Sequence, residues 1–335
     1  VETLLITWLF LLGLAIGSFL NVVIARVPEG ESIVRPRSRC PRCGHQLPWY
    51  ENVPVVSWLA LRGRCSSCKA PISPRYLVVE LLTGLLFVAC AARLGWDWPL
   101  VSALTFVTVL LPLVFIDAER WVLPFELTLP GIALGLALRA PQGLEALEAG
   151  LWGMAAGFLA FRLMELLGWL AFGKEALGAG DKYLLAMVGA TLGWRPLLGV
   201  VLLSALQGAV YGLVRVGLTG RAGPAPAPQA GAEREAPVPT APGREPWTPA
   251  FLAPGLPTWR RLLLVPHALL FQDIPDPPPA DEQGESPEWV PGASNLPFGP
   301  WIGLAALEVL LIGPTLVALA RRSPFSLTAQ VLFGG

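Results

Sequence analysis

The sequence predicts an all-α polytopic integral membrane protein of about eight transmembrane helices with a cytoplasmic zinc-binding loop. Three observations carry this expectation. Of 335 residues, 54% are hydrophobic and only 14% charged, and the mean hydropathy of +0.58 lies outside the range of ordinary soluble domains. Apolar runs close to the ~20 residues that cross a hydrocarbon core recur along the chain. Two Cys-x2-Cys pairs stand in a short basic segment after the first run. The formal net charge is zero, so charge supports no nucleic-acid partner, and the lipid bilayer is the expected surroundings.

Residues 1–26 read as a first transmembrane helix: the lead "VETLLITWLF" has no basic start, and its apolar run is too long for the core of a secretory signal. Residues 27–75 form a basic loop holding four of the five cysteines. Residues 76–218 read as a membrane core, and 219–296 as a Pro/Ala-rich insertion that carries half of the 34 prolines and is expected to be largely disordered. Residues 297–335 supply a last span and a tail. Spans are expected near 3–25, 77–94, 98–117, 123–139, 150–172, 182–194, 196–218 and 297–319. The sixth is short for a full crossing. Within the insertion, "WRRLLLVPHALLF" is apolar but too short to cross and is expected at the membrane interface.

Orientation follows from arginine and lysine. With the N-terminus outside, seventeen of these residues fall in inner loops against five in outer ones, and Arg162 and Arg215 lie inside spans. The cysteine loop and the insertion then face the cytoplasm.

In that loop Cys40 and Cys43 are separated from Cys65 and Cys68 by 21 residues, close to the spacing of a structural zinc site in which two knuckles complete one tetrahedron. Two disulfides are the alternative, disfavoured in a reducing compartment. Four cysteines leave zinc no open position, so its expected role is to hold together a loop too small to build a core unaided. Cys90 reads as a packing residue, and His45 and His267 as isolated surface histidines.

Asp117 closes the third span and Asp181 opens the sixth, in "GAGDKYLLAMVGA". The topology puts both at one membrane face, although 64 residues apart. Either has a plain explanation: Asp181 could cap its helix, and Asp117 could pair with Arg120. Ionisable groups at membrane depth nevertheless point to function. Two carboxylates brought together share a proton, so that one activates water while the other protonates a leaving group, the chemistry of an aspartic protease. Gly178 and Gly180 would let substrate backbone approach. Arg162 and Glu165, three apart, read as an intramembrane pair. Gly13 and Gly17 read as a helix-packing face.

The stretches "GSFLNVVIARVP", "RCPRCGHQLPWYENVPVVSWLALRGRCSSCKAPISPRYLVVELLTG", "IDAERWVLPFELTLPG", "GAGDKYLLAMVGA" and "NLPFGPW" resemble, in order, the type IV prepilin peptidases, bacterial membrane aspartic proteases of the GxGD type. The resemblance covers nearly all of residues 10–218 and resumes at 295–319. It implies cleavage of the leader peptide of type IV prepilins or pseudopilins at the cytoplasmic face of the inner membrane. Relatives with the cysteine loop are commonly bifunctional, methylating the new N-terminus with S-adenosylmethionine. By position, Asp117 and Asp181 match the catalytic aspartates, and Cys40, Cys43, Cys65 and Cys68 the cysteine pairs. One departure stands out: many members place lysine two residues after the second aspartate, whereas here Lys182 follows directly and Tyr183 takes the next place. A polytopic transporter and a non-catalytic pilus-assembly docking protein are the rival readings. A transporter's site should lie near the middle of the membrane, and both aspartates fall at one edge.

Overall fold

The computed structural model describes residues 2–172, 178, 180–220, 257, 259–260 and 297–320. Nine helices of five residues or more are named here: α1 Glu2–Arg26, α2 Val56–Ala60, α3 Arg75–Leu94, α4 Trp98–Arg120, α5 Phe125–Arg139, α6 Leu144–Phe172, α7 Asp181–Leu192, α8 Leu197–Thr219 and α9 Gly299–Ala320. Among the described residues there is no strand, only two isolated bridges in the cysteine loop. Five helices, α1, α3, α4, α6 and α8, are long and apolar enough to cross a membrane. The expected spans at 123–139 and 182–194 correspond to shorter helices, α5 with 15 residues and α7 with 12. At 1.5 Å per residue α7 is about 18 Å long, short of a ~30 Å core. Helix α9, at the expected last span, has 22 residues. Helix α6 begins six residues before the expected start at 150. His267, "WRRLLLVPHALLF" apart from Trp259 and Arg260, and nearly all of the insertion lie outside the described residues.

The chain packs as two units. The first comprises the described parts of Val1–Phe158, Tyr183–Leu206 and Pro297–Gly335, the second those of Leu159–Lys182 and Gln207–Leu296. In the first, α4 is the central element and packs against α1, α3, α5 and α9. Asp97 starts it by accepting the Trp98 N–H at 2.7 Å. It ends at Trp121, in the left-handed region at φ 61°, whose N–H closes on the Asp117 carbonyl at 3.0 Å. Its buried face, Leu100, Ala103, Val107, Leu111 and Ile116, joins Leu9, Leu20, Ile24, Val79, Phe87 and Cys90 in one core cluster. Cys90 is thus the packing residue that the sequence implies.

The sequence's small-residue face on α1 proves to be a helix crossing. A Cβ on Gly13 would stand 2.7 Å from Gly84 Cα, and one on Gly17 2.7 Å from Glu80 Cα, so α1 and α3 touch backbone to backbone. The α6–α7 crossing uses the same device, with Gly153 and Gly189 each against the other's backbone and Gly157 against the Leu185 carbonyl. Arg139, at the end of α5, donates to the Thr191 carbonyl in the last turn of α7 at 2.8 Å and to the Ala146 carbonyl in the first turn of α6 at 2.7 Å.

The second unit's described part holds the later half of α6, the start of α7 and the later half of α8. Here Arg162 and Glu165 pair at 2.8 Å as expected for residues one turn apart.

Gly17→Leu should lower the melting midpoint in detergent by about 5 °C or more, because overpacking costs about 1–3 kcal/mol and the opposing atoms are backbone that cannot rotate aside. Gly217→Leu is the control, since a Cβ there meets nothing within 4 Å. Scanning fluorimetry of the two variants checks the contrast.

Candidate active site

The cysteine loop is two copies of one knuckle. In the first, the Cys40 N–H bonds the His45 carbonyl at 2.9 Å and the Gly44 N–H bonds the Cys40 carbonyl at 2.9 Å; in the second, Cys65 pairs with Ala70 at 2.9 Å and Lys69 returns to Cys65 at 3.1 Å. A bridge closes each knuckle, Arg39 to Gln46 and Arg64 to Pro71. The fourth residue after each leading cysteine lies in the left-handed region, Gly44 at φ 71° and Lys69 at φ 60°. Glycine takes that conformation freely and lysine does not.

The knuckles bring all four sulfurs within 4.8 Å of one another. Cys40 Sγ lies 3.8 Å from Cys68 Sγ and Cys43 Sγ 3.9 Å from Cys65 Sγ, far beyond a disulfide and close to the ~3.8 Å edge of a tetrahedron with 2.3 Å zinc–sulfur bonds. All four cysteines are free thiols. The Cys43 N–H, followed by that of Arg42, holds the Cys40 thiol down at about 6. The Cys68 and Ser67 N–H groups lower Cys65 in the same way. For Cys68 the Ala70 N–H also pulls down, but the Cys43 sulfur and burial outweigh it and push this thiol up to about 11. Four thiolates so close repel one another, and a divalent cation is the group that removes the conflict. The donor set therefore fits one metal ion.

His45 is not isolated: its Nε2 lies 3.3 Å from Glu51 Oε2, beside the first knuckle. Glu80, the single acidic residue of α3, is buried and accepts the Val55 N–H at 2.7 Å. Val55 has φ 63°, strained for a β-branched residue, so Glu80 holds the loop's path before α2. An acidic residue in an apolar span was the available signal for it.

In the first unit Asp117 lies in the last turn of α4 and is 6% exposed. It does not pair with Arg120, which bonds Glu29 instead. Its Oδ2 accepts the Gly299 N–H at 2.9 Å, across 182 residues of sequence. Gly299 is the first residue of α9, and its N–H is one of the donors that a helix start leaves without an intrahelical partner. A Cβ on Gly299 would stand 2.6 Å from that same Oδ2. Only glycine brings its backbone so close.

In the second unit Asp181 is 4% exposed and is the first residue of α7 rather than the residue before it. Its N–H bonds the Gly178 carbonyl at 3.1 Å, and a Cβ on Gly178 would stand 3.3 Å from Asp181 Oδ2. Gly178 is exposed beside this buried carboxylate. The next residue, Lys182, is buried with its Nζ 3.1 Å from Glu165 Oε2. Tyr183, in the first unit, packs edge-on against Phe125 and Phe158 with ring centroids 5.0 and 5.4 Å apart. The residue two places after Asp181 is thus an aromatic packing residue, and the lysine beside the aspartate pairs with Glu165.

Comparison with known proteins gives this geometry its setting. The model for the bacterial peptidase A24 N-terminal domain matches residues 11–94, and that for the type IV leader peptidase family matches residues 104–213. The chain is 58% identical over 309 residues to the prepilin leader peptidase/N-methyltransferase of Myxococcus xanthus (strain DK1622), covering 92% of this chain and 90% of that protein. The chain belongs to the type IV leader peptidase family. Two more members so named are 43% identical over 226 residues, in Stutzerimonas stutzeri, and 41% identical over 231 residues, in Pseudomonas aeruginosa. They cover 61% and 62% of this chain, and it covers 78% and 80% of them. No solved structure matches. In this family member the first model spans the four cysteines and Glu80, and the second spans Asp117, Glu165 and Asp181. Gly299 lies outside both, in the "NLPFGPW" stretch, where no titratable side chain marked it as part of a site.

Exchanging the left-handed residues should affect metal retention unequally. Gly44→Ala places a side chain in a conformation that costs about 1 kcal/mol or more, so a competing chelator should strip the loop at about fivefold lower concentration. Lys69→Gly should not weaken retention. Elemental analysis after graded chelator treatment reads both.

Proposed function

We propose that this protein removes the leader peptide of type IV prepilins or pseudopilins and methylates the new N-terminal amine. The observation that carries the reading is the 58% identity to a prepilin leader peptidase/N-methyltransferase over nine-tenths of that protein's length. Asp117 and Asp181 act as the catalytic pair. Burial of both supports this, as does the placement of both at the cytoplasmic membrane edge by the loop arginines and lysines.

In the reaction the ionised carboxylate takes a proton from water, and the water oxygen forms a bond to the scissile carbonyl carbon. The protonated carboxyl gives its proton to the amide nitrogen as the carbon–nitrogen bond breaks. Gly299 fixes one oxygen of Asp117 through its N–H, so the other oxygen is the one turned to this work. Exposed Gly178 leaves room for an extended substrate backbone beside Asp181.

The chain makes eight crossings of the bacterial inner membrane, with α5, α7 and α9 added to the five long helices and the short α7 opening at the cytoplasmic edge. Residues 27–75 form a cytoplasmic loop, and 219–296 a cytoplasmic insertion. Cys40, Cys43, Cys65 and Cys68 hold one structural zinc ion, which supplies cross-linking and charge neutralisation. S-adenosylmethionine supplies the methyl group; no described side chain is assigned to it.

Asp117→Asn and Asp181→Asn should each lower cleavage of a prepilin peptide by about a hundredfold or more, since neither carboxylate alone performs both proton transfers. Gly299→Ala should lower it by about tenfold with the protein still folded, because the added carbon displaces Asp117. Mass spectrometry of the peptide with purified protein in detergent measures all three. Near wild-type cleavage by either asparagine variant would sink the pair.

Purified reduced protein should carry one zinc per chain. Stripping it, or replacing Cys40 and Cys43 by serine, should reduce transfer of labelled methyl groups more than it reduces cleavage, because both aspartates lie outside the loop. Equal loss of the two activities would contradict that division.

A further inference from the structure

The second unit contains a buried cluster that catalysis as described does not use. Arg162 is 2% exposed, Glu165 3% and Lys182 5%. Glu165 stands between the two cations: its Oε2 accepts from Arg162 Nη1 at 2.8 Å, and Lys182 Nζ reaches Oε2 at 3.1 Å and Oε1 at 3.5 Å. Three ionic groups without water are costly, and apolar residues of similar volume would close the same gap more cheaply. A cluster retained under those terms has a task besides packing.

The chain shows where that task lies. Arg162 and Glu165 are one turn apart on α6, a long helix. Lys182 is in the first turn of α7, immediately after Asp181, and Gly178 and Gly180 precede it. Glycines fix no backbone conformation by themselves. The entry into α7 is held here by the Asp181 N–H bond to Gly178 and by the reach of Lys182 back to Glu165. Arg162 keeps the Glu165 carboxylate from swinging away.

The geometry points to Arg162, Glu165 and Lys182 as a positioning network that fixes Asp181 at the head of α7 in the orientation cleavage requires. This inference rests on Asp181 being one of the catalytic pair. The network touches Asp181 through the chain and not the substrate, so its loss should act on turnover and not on substrate affinity. A carboxylate misplaced by about 1 Å can cost a hundredfold in rate.

The test is steady-state cleavage of a prepilin peptide by purified full-length protein, with melting midpoints recorded for every variant. Lys182→Met keeps the aliphatic stem and removes the tie. It should lower kcat by about tenfold or more while KM stays within about twofold, and Lys182→Arg should restore kcat to within about threefold of wild type. Where Lys182→Met does not fold, Glu165→Asp carries the test, because it keeps every charge and only shortens the arm; its kcat should also fall with KM unchanged. Wild-type kcat in a folded Lys182→Met or Glu165→Asp protein would overturn the network. So would a loss that appears in KM, or that follows the melting midpoint and leaves the folded enzyme fully active. Asp181→Asn, run alongside, separates the two levels. If it is inactive and Lys182→Met is not impaired, the network fails alone; if it cleaves normally, the catalytic pair fails first.

Discussion

An ionisable group carried into apolar helices has to bring its partner or find one, and that requirement organises the molecule. Asp117 finds the free N–H at the start of α9, Glu80 the N–H of Val55, and Glu165 two cations at once. Each solution fixes a piece of backbone. The first ties α9 to α4, the second sets the path of the loop into α2, and the third anchors the start of α7. In a soluble domain water would have met such needs and left the backbone free. Here polar contacts serve as the locating pins of a structure whose apolar surfaces could otherwise slide.

The close helix crossings supply the rest of the rigidity. Gly13 and Gly17 on α1, and Gly153 and Gly189 on α6 and α7, let main chains touch where larger residues would hold them apart. Such contacts maximise van der Waals packing, the attraction that remains when the surrounding medium is as apolar as the side chains. They also resist small displacements, a property that suits carboxylates held to fractions of an ångström. The cysteine loop meets the same need by other means. It has little core of its own, and backbone hydrogen bonds close each of the two knuckles that carry the sulfurs.

Much of this was legible in the sequence because the signals were local. Cysteine spacing announced the sulfur cluster, and a three-residue interval announced the Arg162–Glu165 pair. Glycine spacing announced the α1–α3 contact, and hydropathy the five long helices. What escaped was long-range or depended on one residue of register. Nothing near Asp117 says that its partner is a backbone N–H 182 positions away; Arg120, the nearby cation, turned out to serve Glu29. Lys182 stood one place from its expected position, and only the direction of its side chain shows that it serves Glu165 while Tyr183 packs among aromatic rings. His45 appeared isolated because Glu51, six residues on, approaches it only once the knuckle has turned. The short helices α5 and α7 resist a hydropathy criterion because length, and not composition, sets them apart.

The bond between Gly299 and Asp117 has an evolutionary corollary. Everything that makes it is contained in the first turn of α9 and the last turn of α4, so the register of the contact is set by those two turns and not by the number of residues that connect α8 to α9. Chain can be gained or lost in that connection at an entropic cost that changes only with the logarithm of its length. The Gly299–Asp117 contact is thereby insulated from indels, and a connection as long as residues 219–296 leaves its register unchanged.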